Sequence, residues 1–595
     1  MTKQFVLANL LLSSCFVFSQ SPTEKIRLNQ LGFYPSSEKV VIVEDSSSQN
    51  NFCILRNGLQ KDTVFKGKLS KPQTWEYSDE KVMKAVFSDF IDKGEYILNV
   101  QGLGNSYPFS IGNKKIGEAS KASMKAFYLD RASIEIQSKY GGKWSRKAGH
   151  LDAEILVHNS AASPGRPTGT IISSPNGWYD AGDYNKYIVN SGITMYSLLS
   201  LLEDFPYYSD SLNLNIPESG NKLPDILDEI LWNLRWMLTM QDPFDGGVYH
   251  KLTNANFDGS IMPEFANKTR YVVKKGTAAS LDFAAIMAKS SRVIAKYRKQ
   301  LPGLSDSCLK ASLKAYKWAK KNPAVAYVQS DLSDPSINTG AYDDFNFTDE
   351  FFWAATELFI STNKLEYIED ADLEAVYQRP FSLPVWQNVG TLGIFTLAKN
   401  ANIFSGGIKY EDYNFAGASK IILNYANRLR SHKKESAYGI SMGTETGDFS
   451  WGSNSVCANQ GMLLIQAFLL TGDKSYLESA NANLDYILGR NAVGYSFLTG
   501  FGSLSAINPH QRLSEADNTS EPLPGFMVGG PNPGQEDKGF CIGKYTSSLP
   551  AKSYTDNKCS YASNEIAINW QSGFAYLSNA IHAIRIGNYS LINPR

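Results

Sequence analysis

The stretch Gly177-Trp178-Tyr179-Asp180-Ala181-Gly182-Asp183-Tyr184-Asn185-Lys186-Tyr187 holds two carboxylates three residues apart, set among glycines and aromatics. It runs into an apolar helical pattern through Ile188, Ile193, Met195 and Leu198-Leu199. Aspartates spaced by three at a helix start face one side. Like charges so close repel unless a water, a metal or a cation sits between them. A pair that holds and deprotonates a water is a general base. Acidic residues also sit in first helical turns for structural reasons alone, so the weight falls on what accompanies Asp180 and Asp183.

Two later segments carry complementary groups. Ser496-Phe497-Leu498-Thr499-Gly500-Phe501-Gly502 is followed by Asn508-Pro509-His510-Gln511-Arg512, which fixes two donors two apart after a proline. His510 and Arg512 are suited to hydroxyls or a carboxylate, and a loop salt bridge would use them equally well. Tyr554-Thr555-Asp556 then leads through Tyr561 to Ser563-Asn564-Glu565-Ile566-Ala567-Ile568-Asn569-Trp570. The pattern predicts a helix starting near Glu565 with Ser563 as its cap. A helix start lowers a carboxyl pKa, whereas a general acid needs a raised one. Burial, or Asp180 and Asp183 brought close by the fold, would reverse the sign.

The elements that must position these groups fall into two textures. From Ile26 to about Gly112 short β-prone runs recur, at Val40–Val43, Phe52–Leu55, Lys84–Phe87 and Tyr96–Val100, separated by turns such as Asn57-Gly58 and Lys93-Gly94. This predicts a small sandwich that serves packing rather than chemistry. From Ile116 the period becomes helical, with helices predicted over 119–128, 224–240, 277–296, 312–320, 349–361, 416–429, 459–470 and 476–488. Between them lie loops over 142–178, 243–275, 325–348 and 491–562, rich in Gly, Asn, Pro and aromatics, whose length marks them as functional. Paired helices with long loops at one end describe an α-toroid, with a solenoid as the other helical array that fits.

At 595 residues the chain needs more than one core. Lys+Arg and Asp+Glu number 58 each, so the basic footprint of a nucleic-acid binder is missing. The N-terminus, Met1-Thr2-Lys3-Gln4 then an apolar run from Phe5 to Phe18, is shaped like a secretory signal cut near Ser19 or Gln20. Leu12-Ser13-Ser14-Cys15 offers lipid anchoring at Cys15 as the alternative. No other stretch is apolar enough to span a membrane, so a secreted or periplasmic monomer is expected. Of the six cysteines, Cys541 and Cys559 are placed to bridge, and sequence leaves that pairing open.

The Asp-Ala-Gly-Asp-Tyr segment, the Ser-Phe-Leu-Thr-Gly-Phe-Gly with His-Gln-Arg segment, and the Tyr-x-Asp, Tyr, Asn-Glu-x-Ala segment occur in that order. Together they resemble glycoside hydrolase family 9, the cellulase family with an (α/α)6 barrel. The first strands resemble the immunoglobulin-like domain that precedes the barrel in one branch. After the signal peptide over 1–20, the resemblance implies an immunoglobulin-like β-sandwich over 24–112 and an (α/α)6-barrel catalytic domain over 115–590. It makes Asp183 the base, Asp180 its helper in holding the water, and Glu565 the acid. His510, Arg512, His250 (in Gly246-Gly247-Val248-Tyr249-His250-Lys251), Trp451 and Tyr561 become substrate contacts. Asp349-Glu350 resembles part of a calcium site, although Gln387 stands where another carboxylate is expected. No cofactor is required, and calcium would be structural. No zinc is expected, because 141–160 supplies His150, Asp152 and His158 but no cysteine. Ser455-Val456 and Gln571 depart from the family pattern at positions expected near substrate.

The expected activity is inverting endo-β-1,4-glucan hydrolysis, on cellulose chains, mixed-linkage glucan or xyloglucan. The rivals are an exo-acting member of the same family and a non-catalytic glycan-binding protein.

Overall fold

The computed structural model describes residues 21–44, 50–58, 62–404 and 413–592. The leader segment, with Cys15 and the expected cleavage site, lies outside the described residues.

The N-terminal strands form two facing sheets. One orders Ile26–Arg27, Val40–Glu44, Glu80–Val86 and Gln73–Trp75. The other orders Gly32–Phe33, Phe109–Ile111, Gly94–Val100, Asn51–Arg56 and Thr63–Lys68. Alternation along Val40–Glu44 sends Val41 and Val43 into the sandwich's own core, with Phe33, Phe52, Phe87 and Leu98. The residue between them, Ile42, points the other way and joins Leu31, Tyr34, Trp75 and Val82 in the core of the helical domain. The sandwich is therefore apolar on both faces of one sheet, which is possible only because the helices cover the second face.

That seam is also polar and specific. Arg27 donates to both oxygens of Glu80 at 2.7 and 2.8 Å, and Tyr438 and Lys552 reach the same carboxylate at 2.8 and 2.9 Å. The rings of Trp75 and Tyr438 lie 4.2 Å apart. Asn29 donates to Asp485 at 2.9 Å, and the Gln30 N–H to the Leu488 carbonyl at 3.0 Å, the carbonyl that ends a helix.

Twelve longer helices of the described residues build the second domain. They are α1 Lys114–Leu129, α2 Ile188–Asp204, α3 Asp225–Thr239, α4 Thr277–Ile294, α5 Leu304–Lys321, α6 Thr348–Thr362, α7 Leu365–Ala371, α8 Gly390–Phe404, α9 Ala416–Glu435, α10 Ser453–Thr471, α11 Lys474–Ile487 and α12 Ile568–Arg585. The even-numbered helices are apolar or small nearly all round. Residues 188–202 of α2 are all buried, as is nearly every residue of α4 and α10. Helix α2 packs on α4, α4 on α6, α6 on α8, α10 on α12, and α12 back on α2. Each odd-numbered helix backs an even one, as α5 backs α4 and α11 backs α10. This is the inner and outer ring of an (α/α)6 barrel, not a solenoid.

The long loops are more structured than the sequence indicates. Five short strands, Ile155–Val157, Ile171–Ile172, Lys186–Tyr187, Lys251–Asn254 and Arg270–Val272, form one sheet across two of them. Lys186–Tyr187 is its edge, so the sheet pins the residues just after Asp183. A disulfide joins Cys541 to Cys559, which settles the pairing the sequence left open.

Candidate active site

Asp180 and Asp183 do not lie in a helical turn, as their spacing suggested. They lie in an irregular turn closed by the Asp180 N–H on the Asn185 carbonyl at 3.0 Å, followed by the edge strand and then α2. The Asp180 carbonyl caps the other side by accepting from the Ile568 N–H at 2.8 Å, the first residue of α12. The turn therefore bridges the first and last inner helices.

Each aspartate has its own holders. Asn190, one turn into α2, donates to both oxygens of Asp180 at 2.8 and 3.0 Å, and Tyr342 adds its hydroxyl at 2.9 Å. Asp183 accepts from Asn185 at 2.5 Å and from the Tyr187 hydroxyl at 3.2 Å. Burial first, and the Asp183 charge second, push Asp180 up to about 8 against the pull of Asn190 and Tyr342. Near neutral pH Asp180 therefore keeps its proton. A third carboxyl, Asp130, is buried behind them with neither side-chain oxygen hydrogen-bonded to a described residue. Burial raises its pKa well above the ordinary value, and Asp180 and Asp183 add to this.

Glu565 does not start a helix. It follows the short helix Tyr561–Asn564, capped by Ser560 rather than Ser563, and has extended backbone, with α12 beginning at Ile568. The dipole that was expected to lower its pKa is absent. Glu565 is half-buried and accepts the Gly182 N–H at 3.3 Å, between the two aspartates in sequence. Burial raises its pKa well above the ordinary carboxyl value, the Asp183 charge raises it further, and the Gly182 N–H opposes both. Glu565 therefore tends to keep its proton, as a general acid must. Gly182 allows the approach: a Cβ there would stand 2.6 Å from the His510 carbonyl oxygen and 3.1 Å from a Glu565 oxygen.

The other expected contacts divide into two groups. His510 lies beside Glu565 through a backbone bridge, its Nδ1 occupied by the Lys558 carbonyl at 2.7 Å. Trp451 is 45% exposed, so its ring is not core, and it lies 5.4 Å from the ring of Tyr561. These side chains keep part of their surface open to solvent. Arg512 instead props the Asp180–Asp183 turn, donating to the Gly182 carbonyl at 2.6 Å and the Asp258 carbonyl at 2.8 Å. His250 is buried, stacked on Tyr327 at 3.9 Å and bonded to the Ala341 carbonyl at 2.9 Å. It steadies the loop that carries Tyr342 and has no face open to a sugar.

The departures at Ser455 and Gln571 also have structural accounts. Ser455 is buried in the first turn of α10. Gln571 spends all its groups on backbone, donating to Ser123 and Gly525 and accepting from Met527, each at 2.8 Å. In the former zinc-like stretch, His150 bonds Tyr179, Asp152 pairs with Lys186, and His158 bonds Ser160 and Pro335.

Sequence reasoning missed Asn190, Tyr342, Asn185, Tyr187 and Asp130. A buried asparagine in the uncharged start of α2 was a usable signal. Tyr342 sits in a long loop and gave none.

The sequence model for glycosyl hydrolase family 9 matches residues 117–578, and that for the cellulase N-terminal ig-like domain matches residues 21–105. The chain is 43% identical to a xyloglucan-specific endo-beta-1,4-glucanase of Bacteroides ovatus over 98% of this chain and 97% of that one. It is 31% identical to endoglucanase D of Acetivibrio thermocellus over 93% of this chain and 82% of that one. A solved family 9 structure from Bacteroides ovatus superposes with a TM-score of 0.87, at 42% identity, over 95% of this chain and all of that one (100%). An immunoglobulin-like sandwich, an (α/α)6 barrel and three carboxylates at the seam of its ring agree with these matches: the chain belongs to glycosyl hydrolase family 9.

Proposed function

We propose that this glycoside hydrolase is an inverting endo-β-1,4-glucanase, with xyloglucan foremost among its β-1,4-glucan substrates. The carrying observation is the Glu565 carboxyl held against the Gly182 N–H of the Asp180–Asp183 turn, with its pKa raised by burial and by Asp183. Glu565 gives its proton to the glycosidic oxygen as the C1–O bond breaks. A water on the opposite face attacks C1 and passes a proton to Asp183, so Glu565 ends ionised and Asp183 protonated, and solvent restores both. Asp180, keeping its own proton, orients that water through its fixed carboxyl. The xyloglucan preference rests on the activity of the 43% identical relative. The test is hydrolysis of xyloglucan, mixed-linkage glucan and soluble cellulose, read by viscosity and by NMR of the first product. Rapid viscosity loss with the α-anomer first is expected. Slow viscosity loss would mean exo action, and a β-anomer first would overturn the mechanism.

Calcium belongs to this proposal as a structural ion. Both oxygens of Glu350 and of Asp282, and one of Asp344, are buried without a hydrogen-bond partner among the described residues. Asp349 accepts the Val389 N–H at 2.7 Å, and Gln387 is exposed, away from a ligand role. Hard carboxylate oxygens left unpaired suit calcium. No three His, Cys, Asp or Glu of the described residues form a metal-holding group by themselves. An ion at Asp349 and Glu350 would therefore draw on carbonyl or water oxygens as well.

Export through the N-terminal segment, with Cys15 as the anchoring alternative, and action as a monomer complete the proposal. No helix of the described residues is long and apolar enough to cross a membrane.

A further inference from the structure

The row of rings in the cleft continues past Trp451 and Tyr561. The Tyr561 ring also lies 6.2 Å from that of Phe540. Phe540 is 78% exposed and Ile542 81%, and the two flank Cys541, whose disulfide partner Cys559 stands two residues before Tyr561. Two large apolar side chains this exposed, two residues apart in one disulfide-tied loop, offer a surface for a partner to cover.

Their backbone is firmly held. The N–H groups of Phe540 and Cys541 both donate to the Asp537 carbonyl, at 2.8 and 2.9 Å. The Asp537 side chain is buried and accepts the Ala562 N–H at 2.7 Å and the Tyr545 hydroxyl at 2.7 Å. The Tyr561 hydroxyl donates to the Glu536 carbonyl at 3.1 Å. The loop is thus riveted to the short helix that delivers Glu565, and Phe540 keeps a fixed place relative to the catalytic groups.

Aromatic and branched apolar faces fit the C–H faces of pyranose rings, whose hydroxyls stay at the rim in water. Resting on the glucanase reading above, we propose that Phe540 and Ile542 form an additional sugar-binding position. It continues the Trp451–Tyr561 row and holds a pyranose of the same β-glucan chain, outside those gripped at the carboxylates. Continuity with the cleft selects this occupant over a protein partner or a second copy. Side chains in the family-pattern segments supply the inner positions, and this loop lengthens the grip.

The test uses the full chain with Phe540→Ser, Ile542→Ser and Phe540→Tyr, assayed on xyloglucan- or cello-oligosaccharides of increasing length. Stacking contacts of this size correspond to about a 2- to 13-fold change in an equilibrium constant. Each serine variant should lose kcat/KM by about that factor, mostly through KM, on chains long enough to reach the loop. On the shortest chain cleaved it should match wild type, and Phe540→Tyr should keep wild-type length dependence. A loss equal at every length, or no loss, overturns the inference. A shift from dimer to monomer in sedimentation, with kinetics unchanged, also overturns it and gives the patch to self-association. Wild type that cleaves none of the series would instead refute the glucanase reading itself.

Discussion

Replacing Glu80 with Gln removes one charge from the seam between sandwich and barrel while keeping the side chain's shape. Glu80 is 8% exposed and is met by Arg27, Lys552 and Tyr438. Against a desolvation cost of the opposite sign, these partners draw its pKa from 4.5 down to about 2. Gln imitates the protonated acid, so the cost of the substitution follows from linkage. At roughly 1.4 kcal/mol per pH unit, that drop amounts to about 3 kcal/mol at pH 7. The sign is that of a depressed carboxyl: the stabilisation is complete above the unfolded-state pKa and is lost as pH falls through the folded one. At pH 3 somewhat under half of it, about 1.4 kcal/mol, should remain. Urea unfolding of wild type and Glu80→Gln at both pH values, with all resolved transitions fitted, measures this. A gap below about 0.5 kcal/mol at pH 7, or one that does not shrink at pH 3, would show that Glu80 does not clamp the domains as a charge.

Gly182→Ala should leave stability within about 1–3 kcal/mol of wild type, the usual cost of overpacking. It should lower kcat strongly, because the new methyl displaces His510 and Glu565; full activity would refute the close approach. Asp183→Ala should lower kcat by the ~10²–10⁴ of a lost general base, and unchanged turnover would reject that role. Glu565→Gln should nearly abolish hydrolysis of natural glucans and spare an aryl glycoside with a good leaving group. Because Glu565 has a raised pKa in the fold, wild type should lose stability as pH rises from the ordinary carboxyl range through the folded value. The Gln variant should lack that slope, which pH-dependent melting checks. Chelator treatment should lower Tm, with recovery on adding calcium, if Asp349 and Glu350 hold an ion; an unmoved Tm in both arms would reject it.

The domain order and most elements were legible because each texture has its own period. Val40–Val43 is an unbroken β-branched run, α4 and α6 keep apolar spacing, and Gly472 and Gly489 end helices where glycine with positive φ is easiest. Helix α8 was not read, since Gly390 and Gly393 weaken its helical signal. The loop sheet was missed because its strands are two to four residues long, below any usable alternation. The proposed acid and base were read from motifs. Their local geometry was not, since three-residue spacing mimics a helical face and the Glu565 segment mimics a capped start. The structural duty of Arg512 and His250 depends on carbonyls far away in sequence, at Asp258 and Ala341, which no local pattern announces.

The turn at Asp180–Asp183 leans on Ile568, and Gly182 on Glu565, so the proposed base and acid come from far apart along the chain. Contacts spanning 383 residues are the slowest class to form in folding. Catalysis therefore appears only when the last inner helix docks beside the first and the ring shuts. A chain stopped before Glu565, or nicked so that the segment from Tyr561 through α12 leaves, would carry Asp183 with no acid opposite it. Turnover is thus a direct readout of ring closure, and refolding followed by activity should lag refolding followed by helix content.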